Sequence, residues 1–114
     1  MNVTLIVDLV KGGGPAWPRV EHDTHLITVG SSRPLEDAWR ISQVEMINWL
    51  GELHGMDRFD AYQLLTQISQ SPIANVVDTN FSALTKVSKK YLPEKDPYDG
   101  VHRNLRSKSA QLTV

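Results

Sequence analysis

Alternating and continuous runs of apolar residues predict four β-strands in this chain. The first pattern with a period of two runs over residues 3–9, where valine and leucine occupy the odd positions. Short apolar runs predict further strands over residues 25–29, 73–77 and 83–87. The glycines and prolines of residues 11–19 predict a shaped loop after the first strand, because glycine tolerates positive φ and proline removes a hydrogen-bond donor.

Two segments place apolar residues at helical spacing. The longer stripe, within residues 34–54, consists of Leu35, Ala38, Trp39, Ser42, Met46, Trp49, Leu50 and Leu53. Pro34 suits a first helical position, and Gly55 suits a left-handed C-terminal cap. Asp57 suits the N-cap of a second helix, which Pro72 ends.

The order of these elements is strand, loop, strand, helix, helix, strand, strand. Two amphipathic helices packed on one face of a mostly antiparallel sheet are the simplest arrangement, which predicts an α+β fold. The apolar pattern fades after Pro93, so we expect an α+β portion at residues 1–93 and an extended polar tail at residues 94–114. Because the strand pattern starts at the third residue, we expect the sheet to continue into polypeptide encoded upstream.

Charge and composition argue against several classes of function. Twelve basic residues against 13 acidic ones leave a formal net charge of −1, so we expect neither nucleic acid nor a membrane as a partner. The chain has no cysteine, which excludes disulfides, thiolate metal ligands and a cysteine nucleophile. No apolar run approaches the roughly 18 residues of a membrane span, and the N-terminus lacks a signal-peptide pattern. We therefore expect a cytoplasmic protein.

Candidate functional side chains occur at two predicted strand ends. His25 opens the second strand shortly after Glu21, and a histidine beside acidic residues suits acid–base chemistry or metal binding. The spacing matches no metal signature, and a structural role for this cluster is the alternative. Asn75 and Asp78 lie at another strand end, where they either line a pocket or cap the turn. His54 ends the longer helix, where a protonated ring interacts favourably with the helix dipole.

Two common catalytic or binding motifs are absent from the sequence. Lys11 precedes its three glycines, whereas a phosphate-binding loop needs a lysine that follows them and leads into a helix. No Gly-x-Ser-x-Gly nucleophile elbow occurs either. The residue types alone therefore identify no complete active site.

Five ordered blocks of sequence carry a more specific signal. They are residues 11–21 (KGGGPAWPRVE), 25–38, 57–67, 75–78 and 89–93. In this order the blocks resemble the acetamidase/formamidase family, and especially its formamidase-like branch.

This resemblance implies an amidase that hydrolyses short linear amides to a carboxylate and ammonia, through a water activated by a metal or a base. It implies that the chain is the C-terminal portion of such an enzyme, within a larger β-rich fold. A divalent metal would be bound mainly by residues upstream of the matched region, and none is assignable here. His25, Glu21, Asn75 and Asp78 are the candidate catalytic residues, and His25 is also the candidate metal ligand.

The resemblance also implies partners. The expected ones are the missing N-terminal portion of the enzyme, a small amide substrate such as formamide or acetamide, and further copies in a homo-oligomer. We expect the isolated chain to be inactive. The alternative hypothesis is a non-catalytic α+β interaction or oligomerisation module derived from the same family.

Overall fold

A computed structural model describes residues 1–112, which fall into two compact units. One unit is Pro15–Lys95, and the other combines Met1–Gly14 with the described residues from Asp96 onward. The first contains strands β1 (Arg19–Glu21) and β2 (His25–Ser32), helices α1 (Leu35–His54) and α2 (Arg58–Ile68), strands β3 (Ile73–Asn75) and β4 (Phe81–Ser88), and the 3-10 helix Lys89–Tyr91. In the second, the 3-10 turn Pro97–Gly100 leads into α3 (Val101–Gln111). None of the helices in residues 1–112 is both long and apolar enough to cross a membrane.

The four strands form one antiparallel sheet in the order β1-β2-β4-β3. The central strands β2 and β4 pair over their full length, so that His25 lies beside Ser88 and Thr28 beside Thr85. β1 pairs with the free side of β2, and β3 pairs with the free side of β4 through an irregular register. An antiparallel sheet combined with helices confirms the predicted α+β fold.

Helices α1 and α2 build one hydrophobic core with a single face of the sheet. Every second position is buried on the helix side over residues 26–30 of β2 and residues 83–87 of β4, as the period of two requires. Trp49 lies in the core, but Trp39 of the same predicted stripe is 44% exposed, and its indole N–H donates to Ser71 Oγ at 3.1 Å. The core residues are Leu26, Met46, Trp49, Leu50, Leu53, Ala61, Leu65 and Val87.

The backbone of α1 lies very close to β2 where the strand carries Gly30. A Cβ atom on this glycine would overlap the carbonyl oxygen of Ala38 and lie 2.7 Å from the amide nitrogen of Ser42. Beside this contact, the Thr28 hydroxyl donates to the Ser42 carbonyl at 2.6 Å, and the hydroxyls of Ser42 and Thr85 are 2.8 Å apart. Each of these buried hydroxyls therefore has a partner, which the low dielectric of the core demands.

The ends of both core helices follow the capping residues in the sequence. Gly55 adopts the left-handed conformation, with φ 65°, and its N–H bonds to the carbonyl of Gly51. The Asp57 carboxylate accepts the N–H of Phe59 at 2.9 Å and so caps α2. Pro34 occupies the N-cap position of α1, one residue before the predicted place.

The strand predicted over residues 3–9 is absent. This segment has no regular secondary structure, and its valines and leucines are exposed. Alternation makes a strand only where a neighbouring strand accepts and donates the backbone hydrogen bonds. Within the described residues, no strand pairs with this segment.

The extended conformation predicted for residues 94–114 is also wrong over its described part. Val101–Gln111 is an α-helix, although its surface is almost entirely polar. Arginine, lysine, leucine, alanine and glutamine have high helix propensities, and they supply about half of this segment. The predicted domain division after Pro93 stays a prediction. The two compact units divide the chain close to this point, but a compact unit is not necessarily one that folds independently.

His54 ends α1 with a ring nitrogen that lacks a partner. Its Nε2 is buried, and no atom of the described residues forms a hydrogen bond with it. Burial lowers the pKa of His54 below its ordinary value of 6.5, and the charge of Lys95 lowers it further. His54 does lie in the last turn of α1, and its favourable interaction with the helix dipole in the protonated form stays a prediction.

Stability is expected to fall as the pH drops below the ordinary histidine pKa. Because the folded pKa of His54 is lowered, the unfolded chain binds this proton first, and acid favours unfolding from about pH 6.5 downward. The His54→Leu variant removes the titration and leaves no polar nitrogen unpaired. Urea unfolding between about pH 7.5 and 5.5 would show a smaller loss of stability in the variant. Equal losses in the two proteins would contradict this explanation.

The close contact between α1 and β2 predicts opposite effects for two glycine substitutions. Gly30→Ala places a methyl group on helix backbone that cannot turn aside, and we expect a loss of about 3 kcal/mol in unfolding free energy. Gly51→Ala is the matched control inside α1, where the added Cβ meets only the Met56 carbonyl oxygen at 3.4 Å. This control is expected to gain about 0.5–1 kcal/mol, because alanine favours helix. Similar urea midpoints for the two variants would refute the contact.

Candidate functional site

His25 lies in a groove at the end of the sheet where β2 begins. The groove has a volume of about 290 Å³ and forms where β2 and β4 meet the end of α2 and the 3-10 helix Lys89–Tyr91. Reciprocal backbone hydrogen bonds of 2.8 and 2.9 Å between Gln70 and Lys86 hold the segment after α2 against β4. The lining residues are His25, Gln67, Ile68, Gln70, Lys86, Ser88, Lys90 and Tyr91.

Strand pairing brings these residues together from distant parts of the sequence. The register sets His25 beside Ser88 and Ile27 beside Lys86, so these side chains share the face of the sheet that α1 does not cover. Lys90 follows directly in the 3-10 helix after β4. The groove therefore joins β2 to residues more than 40 positions away along the chain.

The groove is positively charged. Lys86 and Lys90 are among its lining residues, and that lining within the described residues contains no carboxylate. Burial lowers the pKa of His25 below its ordinary value of 6.5, and the charges of Lys86, His22 and Lys90 lower it further. His25 is therefore a neutral imidazole at neutral pH, which can accept a proton.

Thr24 connects the two histidines that flank it. Its hydroxyl lies 2.7 Å from His25 Nδ1 and 3.2 Å from His22 Nδ1, and its N–H is directed to the same nitrogen of His22. The two rings are tilted, with centroids 6.5 Å apart. The threonine thus restrains the His25 ring through Nδ1.

Glu21, the nearest predicted acid, does not belong to the groove. The register pairs it with Leu26, which faces the helices, whereas His25 is on the opposite face. Its carboxylate forms an ion pair with Lys89 at 2.7 Å. Glu21 therefore connects β1 to the end of β4 instead of polarising His25.

Asn75 and Asp78 lie at the other end of the sheet. The Asn75 amide donates to the Asp78 carboxylate, and Asn75 Oδ1 accepts the N–H of Val77 at 2.9 Å, which closes a tight turn. Asn75 pairs with Ser82, which in turn pairs with Ser31 of β2, roughly 20 Å along that strand from His25 at about 3.3 Å per residue. The four candidate residues are thus spread over three places, and their catalytic roles stay predictions.

The described residues do not form a metal site by themselves. A catalytic zinc centre takes three protein ligands, and residues 1–112 contain no group of three histidine or acidic side chains placed to hold a metal ion. His25 and His22 share Thr24 at their Nδ1 atoms, and no third ligand joins them. We therefore assign no chemical step to a metal held by this chain alone.

An ion cluster between β1 and α1 was not predicted from the sequence. Arg19 donates to Glu45 at 2.7 Å and to both carboxylate oxygens of Glu52 at 2.6 and 3.1 Å. Its guanidinium also lies 5.2 Å from the centre of the Trp49 ring. Hydrogen bonding by Arg19 lowers the pKa of Glu52, against the opposing effect of burial. The sequence feature that could have indicated this cluster is the spacing of Glu45 and Glu52, which lie seven residues apart on the apolar face of the predicted helix.

Two solved structures are similar to this chain, and both are acetamidases. The acetamidase from Yersinia enterocolitica is 37% identical, with a TM-score of 0.67, over 69% of this chain and 24% of that protein. The acetamidase from Bacillus halodurans is 22% identical, with a TM-score of 0.61, over 65% of this chain and 25% of that protein, and supports the fold alone.

No protein-family model matches the chain, and no curated protein matches it either. The chain spans about a quarter of the length of the two acetamidases. The predicted resemblance to the acetamidase/formamidase family is confirmed over this partial match. The assignment to its formamidase-like branch stays a prediction.

Proposed function

We propose that this chain is the C-terminal portion of an amidase that hydrolyses short linear amides, such as formamide and acetamide, to a carboxylate and ammonia. The 37% identity to the Yersinia enterocolitica acetamidase over 69% of this chain is the observation that carries the proposal. The proposed assembly is cytoplasmic, and the remaining portion of the enzyme supplies most of its site. That portion would also supply the ligands of any divalent metal.

The distribution of the candidate residues supports an inactive isolated chain. Amide hydrolysis needs a base or metal to activate water and donors to stabilise the oxyanion. Within the described residues, His25 faces lysines, while Glu21 and Asp78 are committed to contacts elsewhere in the sheet. In the complete enzyme, the neutral His25 ring would accept a proton or bind a metal only after the other portion brings acids or donors to it.

The apolar face of the sheet supports a polypeptide partner. In the unit Pro15–Lys95, the face opposite α1 carries Val20, Ile27, Val29 and Leu84 in neighbouring registers, and neither α1 nor α2 covers it. Val20 is 45% exposed, and Ile27, Val29 and Leu84 are half-buried, so this face offers apolar side chains to a polypeptide that packs on it. We assign this face to the remaining portion of the amidase.

A second apolar surface supports a homo-oligomer. Phe59 and Tyr62 on α2 are 78% and 58% exposed, and with Ile47 and Arg58 they line a groove of about 470 Å³. Val44 extends this surface along α1. Exposed aromatic residues beside an arginine are enriched at the centres of protein interfaces.

The alternative function is a non-catalytic interaction or oligomerisation module derived from the family. The same exposed surfaces favour it, as does the lack of a convergent catalytic group in residues 1–112. The two functions differ in one outcome, namely whether the chain can take part in amide hydrolysis inside a complete enzyme.

A graft tests the amidase proposal. Pro15–Lys95 replaces the matching quarter of the Yersinia enterocolitica acetamidase, and ammonia release from acetamide and formamide is measured. We expect the chimera to hydrolyse amides, the isolated 114-residue chain to release no ammonia, and the acetamidase lacking the quarter to be inactive. His25→Gln in the chimera is expected to lower kcat by about 10²-fold, within the range for loss of a general base.

A folded, oligomeric chimera without activity would reject the amidase proposal and favour the interaction module. Ammonia release by the isolated chain, lost in the His25→Ala variant, would instead show that the complete site lies within these residues. Circular dichroism and gel filtration of each protein separate loss of activity from loss of folding.

A further inference from the structure

We propose that the His25 groove binds a small dianionic oxyanion, such as a phosphate group. Oxyanion binding is a separate property from amide hydrolysis, although His25 enters both proposals, and every residue that lines the groove lies within Pro15–Lys95. The groove of about 290 Å³ joins two lysines and several hydrogen-bond donors at one end of the sheet. A volume near the lower limit of ordinary ligand sites suits a small ligand.

The charges available in the groove match a dianion. Three lysines cluster at the end of β4, and Lys89 is neutralised by Glu21 at 2.7 Å. Lys86 and Lys90 both line the groove, and its lining within the described residues contains no acid. Two ammonium groups beside a neutral His25 therefore leave a local charge that two negative charges would balance.

The surroundings of Lys86 strengthen its attraction for an anion. It is half-buried on β4, between the bridging segment at Gln70 and the neighbouring strand residue Ile27. A partly desolvated charge interacts more strongly than one in bulk water, since the effective dielectric constant is lower. Burial is the main cause of the lowered pKa of His25, and Lys86 is its largest charge contributor, which agrees with a lysine close to the ring.

Neutral donors complete the recognition of an oxyanion. The same groove is lined by Gln67, Gln70, Ser88 and Tyr91, whose side chains carry amide and hydroxyl donors. A phosphate group presents three or four acceptor oxygens, and lysine binds phosphate readily as a point charge. Lys90 is held over the Tyr91 ring at 4.6 Å, which keeps its ammonium group near the mouth of the groove.

Titration of the full 114-residue chain tests this site. Inorganic phosphate, glycerol 3-phosphate and acetate are each added at constant ionic strength, and amide and imidazole chemical shifts are followed by NMR. We expect saturable shifts at His25, Lys86 and Lys90 with both phosphates, and about tenfold weaker binding of acetate because it carries one charge. Comparison of the glycerol 3-phosphate and inorganic phosphate titrations shows whether the groove accepts a phosphate group that is esterified to an organic molecule.

Lysine variants locate the binding. Lys86→Gln and Lys90→Gln are each expected to weaken phosphate binding about tenfold, since each removes one of the two charges. Lys95→Gln is the matched control, because it makes the same charge change outside the groove. Thermal melts check that each variant folds, and the second lysine variant serves if the first does not.

Three outcomes would overturn the proposal. These are a lack of saturable phosphate shifts, tighter binding of acetate than of phosphate, and equal loss of affinity in the Lys95→Gln control. Activity of the acetamidase chimera does not enter this test, so the oxyanion site and the amidase proposal fail separately.

Discussion

The close approach of α1 to β2 at Gly30 is the contact on which the unit Pro15–Lys95 depends. Without a side chain on this glycine, helix backbone can lie directly on strand backbone, where the Ala38 carbonyl takes the space of a Cβ. This distance brings Ser42 into hydrogen-bonding range of Thr28 and Thr85, so one helix residue joins both central strands. Core packing then extends along α1 from this point.

This packing decides which face of the sheet remains free for function. With α1 and α2 on one face, the side chains that alternate with the core, His25 and Lys86 among them, lie on the other. Arg19 and Glu21, on the helix side, are used in ion pairs that attach β1 and the end of β4. Because successive strand residues face opposite sides of the sheet, the charged residues used in ion pairs lie on the helix side, and those that can bind a ligand lie on the other side.

The sequence predicts those features that depend on neighbours along the chain. The apolar stripe, Gly55 and Asp57 define α1 and α2, because the hydrogen bonds and side-chain contacts within a helix join residues only a few positions apart. The segment 3–9 shows the limit, since its alternation is that of a strand but pairing depends on residues elsewhere. The candidate site shows the same limit. His25 can be identified from the sequence, but Lys86 and Lys90 become its neighbours through the register of β2 and β4, which alternation alone does not determine.

Native-state hydrogen exchange tests the central contact most directly. If the packing of α1 on β2 organises the unit, three segments will exchange their amide hydrogens together, with equal opening free energies that are the largest in the unit. These segments are Leu26–Gly30, Ala38–Leu50 and Ala83–Val87. Residues 3–9 will exchange fastest, because no strand within the described chain pairs with them. Helix α1 opening separately, at a clearly lower free energy than β2 and β4, would contradict the account.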